Sequence, residues 1–425
     1  MQLRKPPLRE LWINIAHTSG AKIYSLLIGV FTLSLTARLL GPEGRGQVAT
    51  ITTWVGMFST FAYLSLGQVA LHRMADDREQ KRFGKLLGSL LLLTIVLTLA
   101  GWLAALGMYE YNPEGAFKGL PIVSLLVGFL ALPFMIWEQY GSSLLMGLER
   151  IHIYNRYQVI GRTLSVAALF ALVSILGFGV VGVLEANLLG QIIVAMGGIG
   201  FLFVFAREKG LACRPNKNEI KALLAGGAKL HLNAIGTFLF TSVNILILNN
   251  YHGAEQTGYF QLATQLLGVL MIIPQAASMV IYGKVTTLGP NSAWPDNKRL
   301  LLQISLGMIV LSAIAAVLAP WGIILLAGAA FQPAVQPFQW MLLGLVGMTF
   351  STVMAPQWIG RGYFLQAAGL TFLVGAINLV ANFWLIPLYG MQGAVYAFLG
   401  TYAFSIIGNG AMAWHCQCQY KTINV

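Results

Sequence analysis

The residues able to do chemistry in this sequence are few, and they sit where charge is expensive. Of 26 lysines and arginines, only Lys22, Arg162 and Lys229 fall inside long apolar runs, and Glu138 is an acid in the same setting. His17 and His231 accompany the two lysines on their runs. An ionisable group at membrane depth is rare, and by default it marks a route for ions or polar substrates. At about 1.5 Å per helical residue, Lys22 lies roughly 28 Å below a glycine turn at Gly41. Lys229 lies roughly 36 Å below one at Gly253 by the same measure, so both sit near one phosphate plane. Arg162 belongs to the same third of the membrane, whereas Glu138, about 16 Å from Glu149, lies near the midplane. Plainer readings stand beside these. Lysines near helix ends snorkel to the interface, Arg162 and Glu138 neutralise one another if they pair, and Glu185 is solvated at the mouth of its helix. Asn187, Asn233, Asn244, Asn378 and Asn382 serve as hydrogen-bonding glue between helices.

The elements that must position these groups are written twice. Gly20-Ala21-Lys22-Ile23 returns as Gly227-Ala228-Lys229-Leu230, and Ile28-Gly29-x-Phe31 as Ile235-Gly236-x-Phe238, both 207 residues on. The turn Gly41-x-Glu43-x-x-Gly46 returns 212 residues on as Gly253-x-Glu255-x-x-Gly258. Gly179-x-x-Gly182-Val183-Leu184-x-Ala186 returns 211 residues on as Gly390-x-x-Gly393-Ala394-Val395-x-Ala397. Offsets of half the 425-residue chain mean one unit repeated. The expected division is an N-lobe over 1–210 and a C-lobe over 211–425.

Composition assigns the solvent. Hydrophobic residues make up 57% and charged residues 9%, against about 25% charged in a soluble domain. The apolar runs reach the roughly 20 residues a membrane helix needs. Twelve spans are expected, near 12–38, 47–71, 85–107, 120–147, 157–176, 182–206, 221–249, 258–282, 300–326, 337–359, 363–386 and 392–413. Pro320 interrupts the ninth, and a re-entrant piece at 321–330 fits equally. The longest loops are 206–221, 283–299 and 327–336. Kinks are expected at Pro133, Pro274 and Pro356. The first run reads as a retained helix and not as a cleavable leader. With cytoplasmic termini, 20 of the 26 cations fall in cytoplasmic segments, and Arg38, Arg45 and Lys118 face outward. That asymmetry is the positive-inside pattern. It accounts for the net charge of +12 through an anionic inner leaflet, without nucleic acid. Six spans return the chain to its starting side, so the lobes are parallel repeats about an axis along the membrane normal.

Several function classes drop out. No loop holds an extramembrane catalytic domain, and the sequence has no phosphate-binding P-loop and no HExxH. Cys213, Cys416 and Cys418 form no metal-ligand cluster. His415-Cys416-x-Cys418 lacks a second ligand pair and reads as an incidental tail. No cofactor, no metal and no enzymatic activity are expected.

The chain resembles the polysaccharide-transporter branch, the oligosaccharide-lipid flippases of O-antigen pathways, within the multidrug/oligosaccharidyl-lipid/polysaccharide exporter superfamily. Four features carry the likeness. They are Ala37-Arg38-Leu39-Leu40-Gly41-Pro42-Glu43-Gly44-x-Gly46, twelve spans in two sixes, Leu326-x-Gly328-x-x-Phe331-x-x-Ala334, and Gly390-x-x-Gly393-Ala394. The resemblance implies a short glycan on undecaprenyl pyrophosphate, moved from the inner to the outer leaflet of a bacterial inner membrane. It implies a glycan polymerase and a chain-length regulator as partner proteins. Under it, Lys22, Lys229 and Arg162, with His17 and His231 beside them, hold the pyrophosphate on the inner side. Arg38 receives it on the outer side, and Glu138 couples an ion. Multidrug members usually carry an acid in the first span; this chain has Lys22 instead, which favours an anionic cargo. A cation-coupled small-molecule exporter and a lipid II flippase remain the alternatives.

Overall fold

A computed structural model describes the backbone of residues 8–75 and 82–423, excepting the side chains of 8–23, 25, 26, 113, 114, 229 and 421–423. The described residues form helices joined by short turns and loops, with no strand. In chain order the helices are α1 (Leu8–Tyr63), α2 (Leu66–Ala75), α3 (Phe83–Tyr111), α4 (Pro113–Ala116), α5 (Ile122–Phe129) and α6 (Leu132–Gly147). Then come α7 (Ile151–Leu169), α8 (Gly179–Glu208), α9 (Lys217–Thr241), α10 (Val243–Leu270) and α11 (Ile272–Leu288). The last are α12 (Pro290–Ala327), α13 (Val335–Met341), α14 (Leu345–Gly360) and α15 (Phe364–Ile423).

Up to 9 stretches among the described residues are long and apolar enough to cross a membrane, and three of them contain a glycine break. Gly41, Gly253 and Gly390 stand at φ 66°, 82° and 57°, a left-handed conformation that glycine adopts without steric cost. These are the glycines of the repeated turns. At Gly390 the chain doubles back: a Cβ on Gly408 would lie 2.5 Å from Leu370. A straight helix would hold those residues about 57 Å apart. With the three turns as reversals, the nine stretches become the twelve spans of the two-sixes architecture.

The breaks were only partly foreseen. The second span is interrupted at Leu64–Ser65 and bent by 41° into α2. The fourth restarts at Leu132, just before Pro133, as expected of proline in the first turn of a helix. Pro320 lies inside α12, which runs on to Ala327, so the re-entrant alternative for 321–330 is set aside. The expected loop at 283–299 is helix except for Gly289 (φ 83°), which joins α11 to α12. Lys284 and Asp296 pair across that turn at 2.7 Å. The linker after α8 is true loop. Its Cys213 and Arg214 backbone lies so close to α3 that a Cβ on Gly88 would meet it at 2.7 Å, and Asn216 N–H donates to Ser89 Oγ at 3.0 Å.

The chain forms two compact units, 1–40 with 51–234 and 41–50 with 235–425. Residues 211–234, assigned above to the C-lobe, cluster with the first unit, and 41–50 cluster with the second. The first unit is cored by Leu86, Leu87, Leu90, Leu132, Ile136 and Tyr140, all fully enclosed. In the second, α15 lies against α10 and α14, and Trp294, Met354, Trp358 and Cys416 pack at one end.

Candidate functional site

In the first unit, the polar stripe on α7 carries the clearest arrangement. Tyr154, Gln158 and Arg162 recur every fourth residue, which stacks them on one helical face. Glu138 on α6 faces that stripe. Its Oε1 accepts from Tyr154 O–H at 2.6 Å and from Gln158 Nε2 at 2.8 Å, and Gln158 Nε2 also reaches Tyr154 Oη at 2.6 Å. No ion pair joins Arg162 to Glu138 among the described residues, so mutual neutralisation is not how the carboxylate is satisfied. Two neutral donors serve it, and the Arg162 side chain stays exposed. One residue beyond it, Thr163 Oγ1 meets Tyr24 Oη at 2.5 Å. That contact brings the backbone of α1 two residues after Lys22 level with α7 one residue after Arg162.

The side chains of Lys22, His17 and Lys229 lie outside the described residues. Their backbones belong to regular helix, α1 for the first two and α9 for the third. His231 is described and is enclosed, with 5% of its surface accessible. Its Nδ1 sits 3.2 Å from Ser65 Oγ, and its ring stands edge-on to Tyr63 at 5.4 Å. Nε2 has no hydrogen-bond partner among the described residues. Arg38 is exposed on α1. The structure therefore brings Arg162, Glu138 and the Lys22 level of α1 into one neighbourhood and encloses His231 against Ser65 and Tyr63.

In the second unit the turn residues do more than turn. Arg45, counted above among the outer cations, is 5% accessible, and its Nη2 donates to Gln265 Oε1. Beside it, a Cβ on Gly46 would lie 1.7 Å from the Ala254 carbonyl oxygen, and one on Gly258 would lie 2.0 Å from that of Pro42. The two copies of the repeated turn thus cross backbone to backbone. Asn378 Nδ2 donates to the Phe240 carbonyl at 2.8 Å, next to the break at Ser242, and Asn382 Nδ2 donates to the Asn378 carbonyl at 2.7 Å. For Asn378 that is the role expected of glue between helices, whereas the bond from Asn382 stays within α15. Cys416, fully enclosed beside Trp294, Met354 and Trp358, is a packing residue.

Tyr154, Gln158, Tyr24, Thr163, Ser65 and Gln265 escaped the reading of the sequence. The four-residue spacing of Tyr154, Gln158 and Arg162 was a usable sign of a polar face. Nothing in the local pattern distinguished the other three hydroxyl residues.

A profile of the polysaccharide biosynthesis protein family matches residues 11–282. No curated protein sequence matches. Solved structures share the fold. The lipid II flippase MurJ in an inward-closed conformation superposes with a TM-score of 0.76 at 14% identity, over 92% of this chain and 86% of that one. An inward-facing multidrug resistance transporter of the MATE family, in the MOP superfamily, gives 0.73 at 16% identity over 95% and 96%. A MOP superfamily transporter from Pyrococcus furiosus, described as having a binding pocket of reverse polarity, gives 0.58 at 15% over 97% and 94%. At these identities the likeness is one of fold.

Proposed function

The chain belongs to the polysaccharide biosynthesis protein family, multi-pass membrane transporters of the flippase kind, and on that premise we propose that it flips an undecaprenyl-pyrophosphate-linked oligosaccharide from the inner to the outer leaflet. The observation that carries this reading is the placement of cations. Lys22 and Lys229 occupy repeat-related positions on membrane helices, and Arg162 stands exposed on α7 level with the first of them. A pyrophosphate cannot cross hydrocarbon unaided, because stripping an unpaired ion of water costs tens of kcal/mol in the idealised limit. Lysine and arginine near the inner phosphate plane replace that hydration, as charge-assisted hydrogen bonds do elsewhere. The polyprenyl tail stays in lipid while the headgroup passes.

The protein works in a bacterial inner membrane with both termini in the cytoplasm, in keeping with its charge asymmetry. A glycan polymerase and a chain-length regulator receive its product. Alternating access by rocking of the two repeats moves the cargo. An anion moving outward from a negative interior gains about 2.3 kcal/mol per charge per 100 mV, so export runs downhill electrically. Glu138 is the group that would couple an ion. A lipid II cargo is the second reading, favoured by the fold likeness to MurJ; both cargoes present the same polyprenyl pyrophosphate to the cations.

Deleting the gene and analysing surface glycan together with lipid-linked intermediates tests the proposal. Loss of one surface polysaccharide, with its undecaprenyl-linked unit accumulating on the cytoplasmic side, is expected. Accumulated lipid II would favour the second reading. An intact glycan profile with new sensitivity to cationic drugs would overturn both.

A further inference from the structure

Leu64 and Ser65 stand at φ 47° and 53°. Neither is a glycine, and neither is an asparagine or aspartate, the side chains that tolerate this region best. For L-residues the left-handed region crowds Cβ against the following carbonyl oxygen. The only other described non-glycine residue with positive φ is Glu149. No proline or glycine lies between Phe58 and Leu66 to force a break. The two residues are not on a surface loop either, since Ser65 is 3% accessible and Leu64 is half-buried.

What holds the break is its neighbours. From α6, Tyr140 O–H donates to the Tyr63 carbonyl at 3.0 Å, capping a group the helix has released. From α9, the backbone of Gly227 passes so near Leu64 that a Cβ there would lie 2.4 Å from the Leu64 carbonyl oxygen. Ser65 Oγ pairs with His231 Nδ1 at 3.2 Å. Past the break, α2 continues along α9. A Cβ on Gly226 would lie 2.8 Å from Val69, and Arg73 pairs with Glu219 at 2.7 Å. Numbers rise along α2 as they fall along α9, so the two run antiparallel from His231 to Glu219. Non-glycine backbone in a sparsely populated region persists only where its surroundings over-determine it, and such strain is found at switching elements.

We propose that Leu64–Ser65 is a loaded hinge, held bent by α9 through Gly227 and His231, which straightens the second span when the α2–α9 strip parts. Leu66–Ala75 then swings away from the first half of α9, the segment that carries Lys229. The hinge is independent of what is carried, so its test needs no cargo.

The test is amide hydrogen exchange on the full-length protein in nanodiscs, read at Leu66–Ala75, with residues 51–62 as the internal control. Leu64→Gly removes the left-handed cost of roughly 1–2 kcal/mol. By that amount it should slow opening of Leu66–Ala75 roughly five- to thirtyfold. Gly227→Ala and His231→Ala should speed opening of the same amides, and Leu64→Gly combined with His231→Ala should return it toward the native rate. Exchange at 51–62 should not change in any of them. An unchanged or faster rate in Leu64→Gly overturns the hinge. So does parallel acceleration at 51–62, which would mark general loosening. If Gly227→Ala does not fold, the Leu64→Gly and His231→Ala pair decides the matter by the same criteria.

Discussion

Replacing Gly46 with alanine is the sharpest perturbation the structure offers. The added methyl would sit 1.7 Å from the Ala254 carbonyl oxygen, 2.5 Å from its carbon and 2.9 Å from Gly258 N. Every opposing atom is backbone held in a helix, so none can rotate aside, and the two segments must part by more than about an ångström. Overpacking a well-packed contact costs typically about 1–3 kcal/mol when side chains can adjust; with none to adjust, Gly46→Ala belongs at the upper end, about 3 kcal/mol. Gly258→Ala meets the Pro42 carbonyl oxygen at 2.0 Å and costs nearly as much. The two changes wedge one crossing, so the double variant should cost little more than the larger single one, since residues in contact are not additive. Gly56 and Gly268 are the controls. Their Cβ positions meet nothing within 4 Å, and alanine there should be neutral or stabilise the helix by up to about 1 kcal/mol. The assay is thermal unfolding in nanodiscs, paired with thiol labelling of Thr257→Cys after the native cysteines are replaced. Thr257 is fully enclosed beside the crossing, so labelling should accelerate in Gly46→Ala and not in Gly56→Ala. Gly46→Ala within about 0.5 kcal/mol of the parent, with unchanged labelling, would refute the backbone crossing, since a surface substitution behaves that way.

Other outcomes follow from the same geometry. Lys22→Ala and Lys229→Ala should each reduce glycan export roughly ten- to a hundredfold, the loss of one charge-assisted hydrogen bond; export untouched by both together would remove the lysines from the site. Glu138→Gln keeps an oxygen for Tyr154 and Gln158, so folding should survive it. Loss of the ion-gradient dependence of export would then identify Glu138 as the coupling group, and an unchanged dependence would dismiss it. Arg73→Ala strands Glu219, whose side chain is 8% accessible against 25% for Arg73. Such a part-buried pair places the cost at about 1–3 kcal/mol in thermal unfolding, below that of a fully buried pair. Burial pushes the Cys213 thiol above its ordinary value, so less of it is thiolate at pH 8. It should therefore alkylate more slowly than Cys418, which is exposed; equal rates would contradict the packed linker.

The parts of the fold that were legible are those governed by one variable at a time. Apolar length gave the spans, because hydrocarbon admits no unsatisfied backbone. Glycine marked the turns at Gly41, Gly253 and Gly390, because the left-handed region is nearly closed to other residues. What escaped depends on contacts made across the chain. Leu64–Ser65 carries no breaker of its own and is bent by α6 and α9. Arg45 looked like a surface cation until the crossing beside it drew it in against Gln265. Residues 283–299 were polar enough to pass for a loop, yet Gly289 alone turns the chain there while helix resumes at Pro290. At the candidate site, the helices that carry Arg162 and Glu138 were readable, but the partners of these residues were not, because pairing is set by which helix faces which.

The repeat itself acquires a physical reason at the crossing. Gly46 and Gly258 are 212 residues apart and equivalent by sequence, as are Pro42 and Ala254. The missing Cβ of Gly46 is filled by the Ala254 carbonyl and that of Gly258 by the Pro42 carbonyl. A contact in which i meets j′ while i′ meets j is what a two-fold axis produces, as at the isologous interface of a dimer. Each glycine is therefore demanded by the other copy of the turn, and a side chain in either one opens the same gap. A single turn with its glycines would need Gly41 for its φ of 66°, but Gly46 has ordinary helical surroundings within its own repeat and no local need to be small. Its smallness is explained by the partner turn, which is why both copies of the turn carry glycine at this position.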